Sequence, residues 1–110
     1  MLFKFEFLSA LVDSEDELKE LVGSMTDVID ASIDAVEMHL AENDAAQVKF
    51  QIHKMKSPLN NMEIKDLSAK ISDIEQELSK GTPLDSLKIQ IQTTLEEARV
   101  LVKMLKQSFS

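Results

Sequence analysis

A 110-residue chain with 20 acidic and 12 basic side chains, a net charge of −8, no cysteine, and only two glycines and two prolines excludes several classes. Disulfide scaffolds and thiolate metal sites or nucleophiles are ruled out. The charge balance is poor for nucleic acid or an anionic membrane surface. The length suits a single domain over residues 1–110 with one core, and so few turn-forming residues favour long helices over a sandwich or barrel.

The charge is unevenly spread. Residues 1–44 hold 12 acids and 2 bases, net −10; residues 45–62 hold three lysines and no acid; residues 63–110 hold 8 acids and 7 bases, net −1. A basic island, Lys49, Lys54 and Lys56, therefore interrupts an acidic chain. No apolar run approaches the ~20 residues of a membrane helix. The start, Met1-Leu2-Phe3-Lys4-Phe5-Glu6-Phe7-Leu8, has no signal-peptide core or cleavage site, and the expected location is the cytoplasm.

In chain order, Phe3, Phe5 and Phe7 alternate in an extended lead-in, which a short helix near Glu6–Val12 follows to cover one end of the core. Ser14 and Glu17 have the spacing of a capping box, opening a long helix over roughly Glu15–Glu42. Leu18, Val22, Met25, Ile29, Ser32 and Val36 share one face of it, widened by Leu21, Val28, Ile33 and Leu40. Gly23 in its interior marks a close helix approach or a mild bend. Asn43-Asp44 ends this helix and caps the next, whose stripe is Val48, Ile52, Met55, Leu59 and Met62.

Pro58 interrupts that stripe, because it cannot donate to the Lys54 carbonyl. Two arrangements are open: a kink, or a restart with Ser57 as N-cap and Pro58 first. A further helix, about Glu63–Lys80, aligns Ile64, Leu67, Ile71, Ile74 and Leu78, and Gly81 closes it. Thr82 is expected to cap the last helix with Pro83 at its first position. Its stripe is Leu84, Leu87, Ile91, Leu95, Ala98, Val102 and Leu105, ending near Gln107. The fold class is all-α: an antiparallel four-helix bundle with a short extra N-terminal helix.

His53 lies inside the basic island. At 100° per residue it points about 130° away from the core stripe of its helix, and Ala46, Ser57, Lys49, Lys56 and Phe50 fall within about 60° of it. Asn60 joins them if the helix runs straight past Pro58. Ala46 and Ser57 are small enough to admit a partner's surface, Lys49 and Lys56 are placed to neutralise a phosphoryl group, and Phe50 offers an apolar docking contact. On residues alone, a solvated face is the commoner meaning of such a layout. His39, at the end of the long helix, reads as a semi-buried histidine without a chemical role.

The stretch His53-Lys54-Met55-Lys56-Ser57 resembles the His-x-Leu-Lys-Gly signature of histidine-containing phosphotransfer (HPt) domains. Leu67 and Glu75 fall where that family has a leucine and commonly a glutamate, and the run from Leu8 to Leu21 is similar to its opening. The resemblance implies a phosphorelay intermediate. His53 would take a phosphoryl group from a receiver-domain phospho-aspartate or a histidine kinase and pass it to another receiver aspartate. Lys56 would stabilise it, and Ala46, Lys49, Phe50, Ser57 and Asn60 would form the docking face. The chain would need no cofactor of its own, the receiver supplying Mg²⁺. The implied partners are response-regulator receiver domains and a sensor histidine kinase, with no nucleic acid and no membrane, and the chain itself a monomer. Three residues depart from the family: Ser57 replaces Gly, Pro58 replaces a small helix-compatible residue, and Glu63 stands where Gly usually connects two helices, which points to a differently built connection.

Two other readings compete. A dimetal bundle wants Glu-x-x-His pairs, but Phe50 and Val36 stand three residues before the two histidines. A degenerate HPt-like adaptor that docks receivers without carrying phosphate would use the same face. An autonomous kinase is not expected, since no glycine-rich phosphate loop occurs.

Overall fold

The computed structural model describes residues 3–109; Met1, Leu2 and Ser110, the ends of the expected lead-in and domain, lie outside that range. Six helical segments and no strand occur among the described residues: α1 (Glu6–Ser9), α2 (Glu15–Ala41), α3 (Ala45–Lys54), α4 (Lys56–Asn61), α5 (Lys65–Ser79) and α6 (Leu84–Gln107). The 27 residues of α2 span about 40 Å at 1.5 Å per residue, close to the 45 Å long axis of the molecule. Around the bundle α2 packs on α3, α3 on α5, α5 on α6, and α6 back on α2. Short turns make α2, the α3–α4 pair, α5 and α6 successively antiparallel. The fold is the expected all-α four-helix bundle, with α1 as the extra N-terminal helix.

The buried side chains follow the expected stripes closely. Val48, Ile52, Met55, Leu59 and Met62 are buried, as are all seven stripe residues of α6. On α2 the stripe is narrower than the spacing implied: Val28 is 43% exposed, while Thr26 is buried in its place. The Thr26 hydroxyl donates to the Gly23 carbonyl at 2.8 Å, so a polar residue enters the core without an unmade hydrogen bond. Phe5 is buried, stacks between Phe3 and Phe109, and closes one end of the core. Helix α1 stops at Ser9, short of the expected Val12.

The helix starts differ in how they are capped. Ser14 Oγ accepts from the Glu17 amide at 3.2 Å, and Asp44 Oδ1 accepts from the Gln47 amide at 3.2 Å, both as the sequence implies. Thr82 is not the cap of α6. Pro83 holds that position with an extended ψ of 140°, and the Thr82 hydroxyl donates to Glu77 at 3.2 Å. Ser57 is not a cap either: it lies inside α4, which has no side-chain cap.

The helix bends rather than restarting at Pro58. The break falls at Met55, whose amide donates to the Ile52 carbonyl at 3.1 Å, tightening the turn. Pro58 explains the place. Its ring would clash with the carbonyl four residues back, that of Lys54, and it has no N–H to offer that oxygen. Pairing resumes with Leu59 donating to Met55 at 3.3 Å.

Three inter-helix turns share one construction. Asn43, Glu63 and Gly81 take the left-handed region at φ 56°, 60° and 86°. In each, the next amide reaches back to the third-last helical carbonyl: Asp44 to His39, Ile64 to Leu59, and Thr82 to Glu77, at 2.9–3.1 Å. The Glu63 connection is therefore not built differently; it makes a glycine turn with a residue that carries a Cβ. Gly23 does not mark a close approach, since a Cβ built there meets nothing within 4 Å.

Two stability changes follow. Gly23→Ala removes backbone freedom from the unfolded chain without a clash, and should stabilise by about 1 kcal/mol. Glu63→Gly relieves a left-handed residue and should stabilise by about 0.5–1 kcal/mol. Thermal unfolding measures both, as a Tm rise of roughly 4–8 °C per kcal/mol; a fall in either case contradicts the assignment.

Candidate functional site: an exposed histidine on a shared carboxylate

His53 occupies the last turn of α3, on the face opposite Ile52 and Val48. Its side chain is 65% exposed, so the ring stands in solvent. Lys56 opens α4 just beyond the Met55 bend and is half-buried. Both reach across to α5 and meet there on Glu75. The Lys56 ammonium donates to Glu75 Oε1 at 3.0 Å, and His53 Nδ1 bonds to Oε2. One carboxylate, 17% exposed, thus bridges the two residues of the motif.

The electrostatics decide the direction of these bonds. Burial alone raises the Glu75 carboxyl, but the hydrogen bonds from Lys56 and His53, with their charges, outweigh it, and the net shift is below the usual carboxylate range. Glu75 is therefore ionised near neutral pH. An ionised carboxylate has no proton to give, so Nδ1 of His53 must carry the proton of this bond. In the neutral ring that leaves Nε2 as the nitrogen with a free lone pair.

The other residues of the expected face are distributed as follows. Ala46, Phe50 and Ser57 are exposed, and Lys49 is half-buried. Ala46, Lys49, Phe50 and His53 share one face of α3 by their spacing of three and four. Phe50 is 54% exposed, and the Lys54 ammonium sits over its ring at 5.3 Å from the centroid. Asn60 is exposed but engaged: its Oδ1 accepts from the buried Ser68 hydroxyl at 2.6 Å, tying α4 to α5. Glu75 is the residue that the sequence reading leaves out of the site. It appears there only as a match to a family position; nothing in its local pattern reveals a contact 22 residues away. His39 is semi-buried as expected, with Nδ1 on Glu42 Oε1 at 2.9 Å.

The helical bundle that carries these residues has an HPt-like fold. One solved structure to which it is similar is the crystal structure of the HPt domain from a sensor hybrid histidine kinase of Shewanella. The two superpose with a TM-score of 0.80 over 96% of this chain and 92% of that one, at 20% sequence identity. No protein-family model and no curated protein sequence matches the chain. The likeness therefore defines an HPt-like fold. No helix among the described residues is long and apolar enough to cross a membrane.

The lowered Glu75 carboxyl has a consequence for stability. A carboxyl depressed in the fold contributes stability above its ordinary value of 4.5 and loses that contribution as pH falls through the lower folded value. The destabilisation caused by Glu75→Gln should thus be full at pH 6–8, begin to shrink as pH falls below 4.5, and vanish only below the lower folded value, where the native residue is also neutral. Denaturant titrations of both proteins across that range test it; a cost independent of pH contradicts an ionised Glu75.

Proposed function

We propose that the chain is a phosphorelay intermediate in which His53 carries the phosphoryl group between receiver-domain aspartates, or from a histidine kinase to a receiver. The observation that supports this best is the orientation of the ring: Nδ1 is committed to Glu75, and the exposed edge presents Nε2. The Nε2 lone pair attacks the phosphorus of a receiver's acyl phosphate. The P–O bond to the aspartate breaks, its electron pair leaving on the carboxylate, and an N–P bond forms. The ring becomes a phosphoimidazolium that keeps its Nδ1 proton, and the Glu75 carboxylate faces the charge that develops there. Transfer onward is the same sequence in reverse.

Lys56 balances two anions in this scheme. It pairs with Glu75 at rest, and its charge stands one carboxylate away from the ring that would carry the phosphoryl group. Such transfers depend mainly on positioning and charge stabilisation. The receiver would supply Mg²⁺ to neutralise phosphoryl charge, and the chain has no kinase activity of its own. Ala46, Lys49, Phe50, Ser57 and Asn60 form the docking face, with the basic island complementary to an acidic receiver pocket. The chain works as a monomer in the cytoplasm.

Incubation with a phosphorylated receiver tests the reading. Acid-labile, alkali-stable label should appear on the protein and vanish in His53→Gln. Glu75→Gln should slow transfer by about 10–100-fold, the usual cost of losing the group that orients a working histidine. Label that never appears leaves the non-phosphorylated adaptor as the function, and label that persists in His53→Gln overturns His53 as the phosphoryl carrier.

A further inference from the structure

We propose that the groove between the first half of α5 and the second half of α6 docks an amphipathic helix of a partner protein, with leucine-type residues on one face flanked by lysines or arginines. This surface is separate from the His53 face, which α5 shares with α3 and α4. The groove has a volume of about 550 Å³. Its floor is apolar: Ile64 caps α5 and Leu67 lies in it, and Val100, Leu101 and Met104 come from α6. Val100 is 59% exposed, and Ile64, Leu101 and Met104 are only partly covered, so the bundle leaves this strip unfinished. On the α6 side the groove runs from Thr93 to Met104, about 16 Å, enough to seat three turns of a helix.

The walls state the charge of the occupant. Glu97 is neutralised by Lys70, which reaches both its oxygens at 2.7 and 2.8 Å. Asp66 on α5 and Glu96 on α6 also line the groove, and neither makes an ion pair among the described residues. An unpaired carboxylate therefore stands on each wall. Basic flanks on the incoming helix would meet them, and acidic flanks would be repelled. The chain's own basic island lies on α3 and α4 and does not border this groove. A second copy that met these carboxylates with its basic island would cover the histidine that the proposed function needs open.

The test is a methyl NMR titration of the intact protein with a 14-residue model peptide of leucine and lysine in helical period, beside a twin with glutamate for every lysine. Saturable shifts are expected at Ile64, Leu67, Val100, Leu101 and Met104, with no binding by the glutamate twin. Val100→Lys and Glu96→Lys, both at exposed positions, should keep the fold and each weaken the lysine peptide about tenfold or more. Shifts concentrated on the acidic face of α2, equal binding of both peptides, or wild-type affinity in Val100→Lys would overturn the proposal. So would self-association of the protein alone that Val100→Lys abolishes, which would give the groove to a second copy.

Discussion

The Glu75 carboxylate is held between an ammonium and an imidazole at the edge of the core, and that sharing determines what the exposed histidine can do. A histidine on an isolated helix exchanges tautomers and rotates freely. Here the acceptor-only carboxylate keeps the proton on Nδ1, while Lys56 keeps the carboxylate ionised despite its burial. The arrangement needs three helical segments in register: α3 for the ring, α4 for the lysine and α5 for the acid. The bundle supplies that register through its core, in which Ile52, Met55, Leu59, Ile71 and Ile74 are fully buried beneath the site.

The bend at Met55 belongs to the same construction. Pro58 denies the Lys54 carbonyl its partner, and the chain tightens one turn earlier, between the histidine and the lysine. Leu59 and Met62 still reach the core beyond the bend, and the Asn60–Ser68 bond fastens α4 to α5. The departures from the HPt pattern at Ser57, Pro58 and Glu63 are therefore accommodated locally. Ser57 remains exposed and small, Pro58 packs inward, and Glu63 adopts the left-handed turn that glycine would make more cheaply.

Much of this was legible in the residues because helical periodicity and burial are tied together. The α6 stripe and the α3–α4 stripe were readable for that reason, as were the Ser14 and Asp44 caps, whose side chains bond only three residues away. Signals that depend on competition between neighbours were less clear. Thr82 has a capping side chain, but Glu77 claims its hydroxyl, and Pro83 takes the cap through its backbone alone. Val28 fits the α2 stripe by spacing, yet the two flanking helices leave it uncovered and bury Thr26. Glu75 was least legible as a site residue: its partners are set by how α3 and α5 pack, which no local pattern encodes.

The most direct test of the central claim reads the ring itself. Nitrogen-15 NMR of the unphosphorylated protein, with the imidazoles labelled and His53 assigned against His53→Gln, distinguishes a protonated from a lone-pair nitrogen above neutral pH. A shared ionised carboxylate requires the proton on Nδ1 and the lone pair on Nε2. The reverse tautomer, or an even mixture of the two, would contradict it.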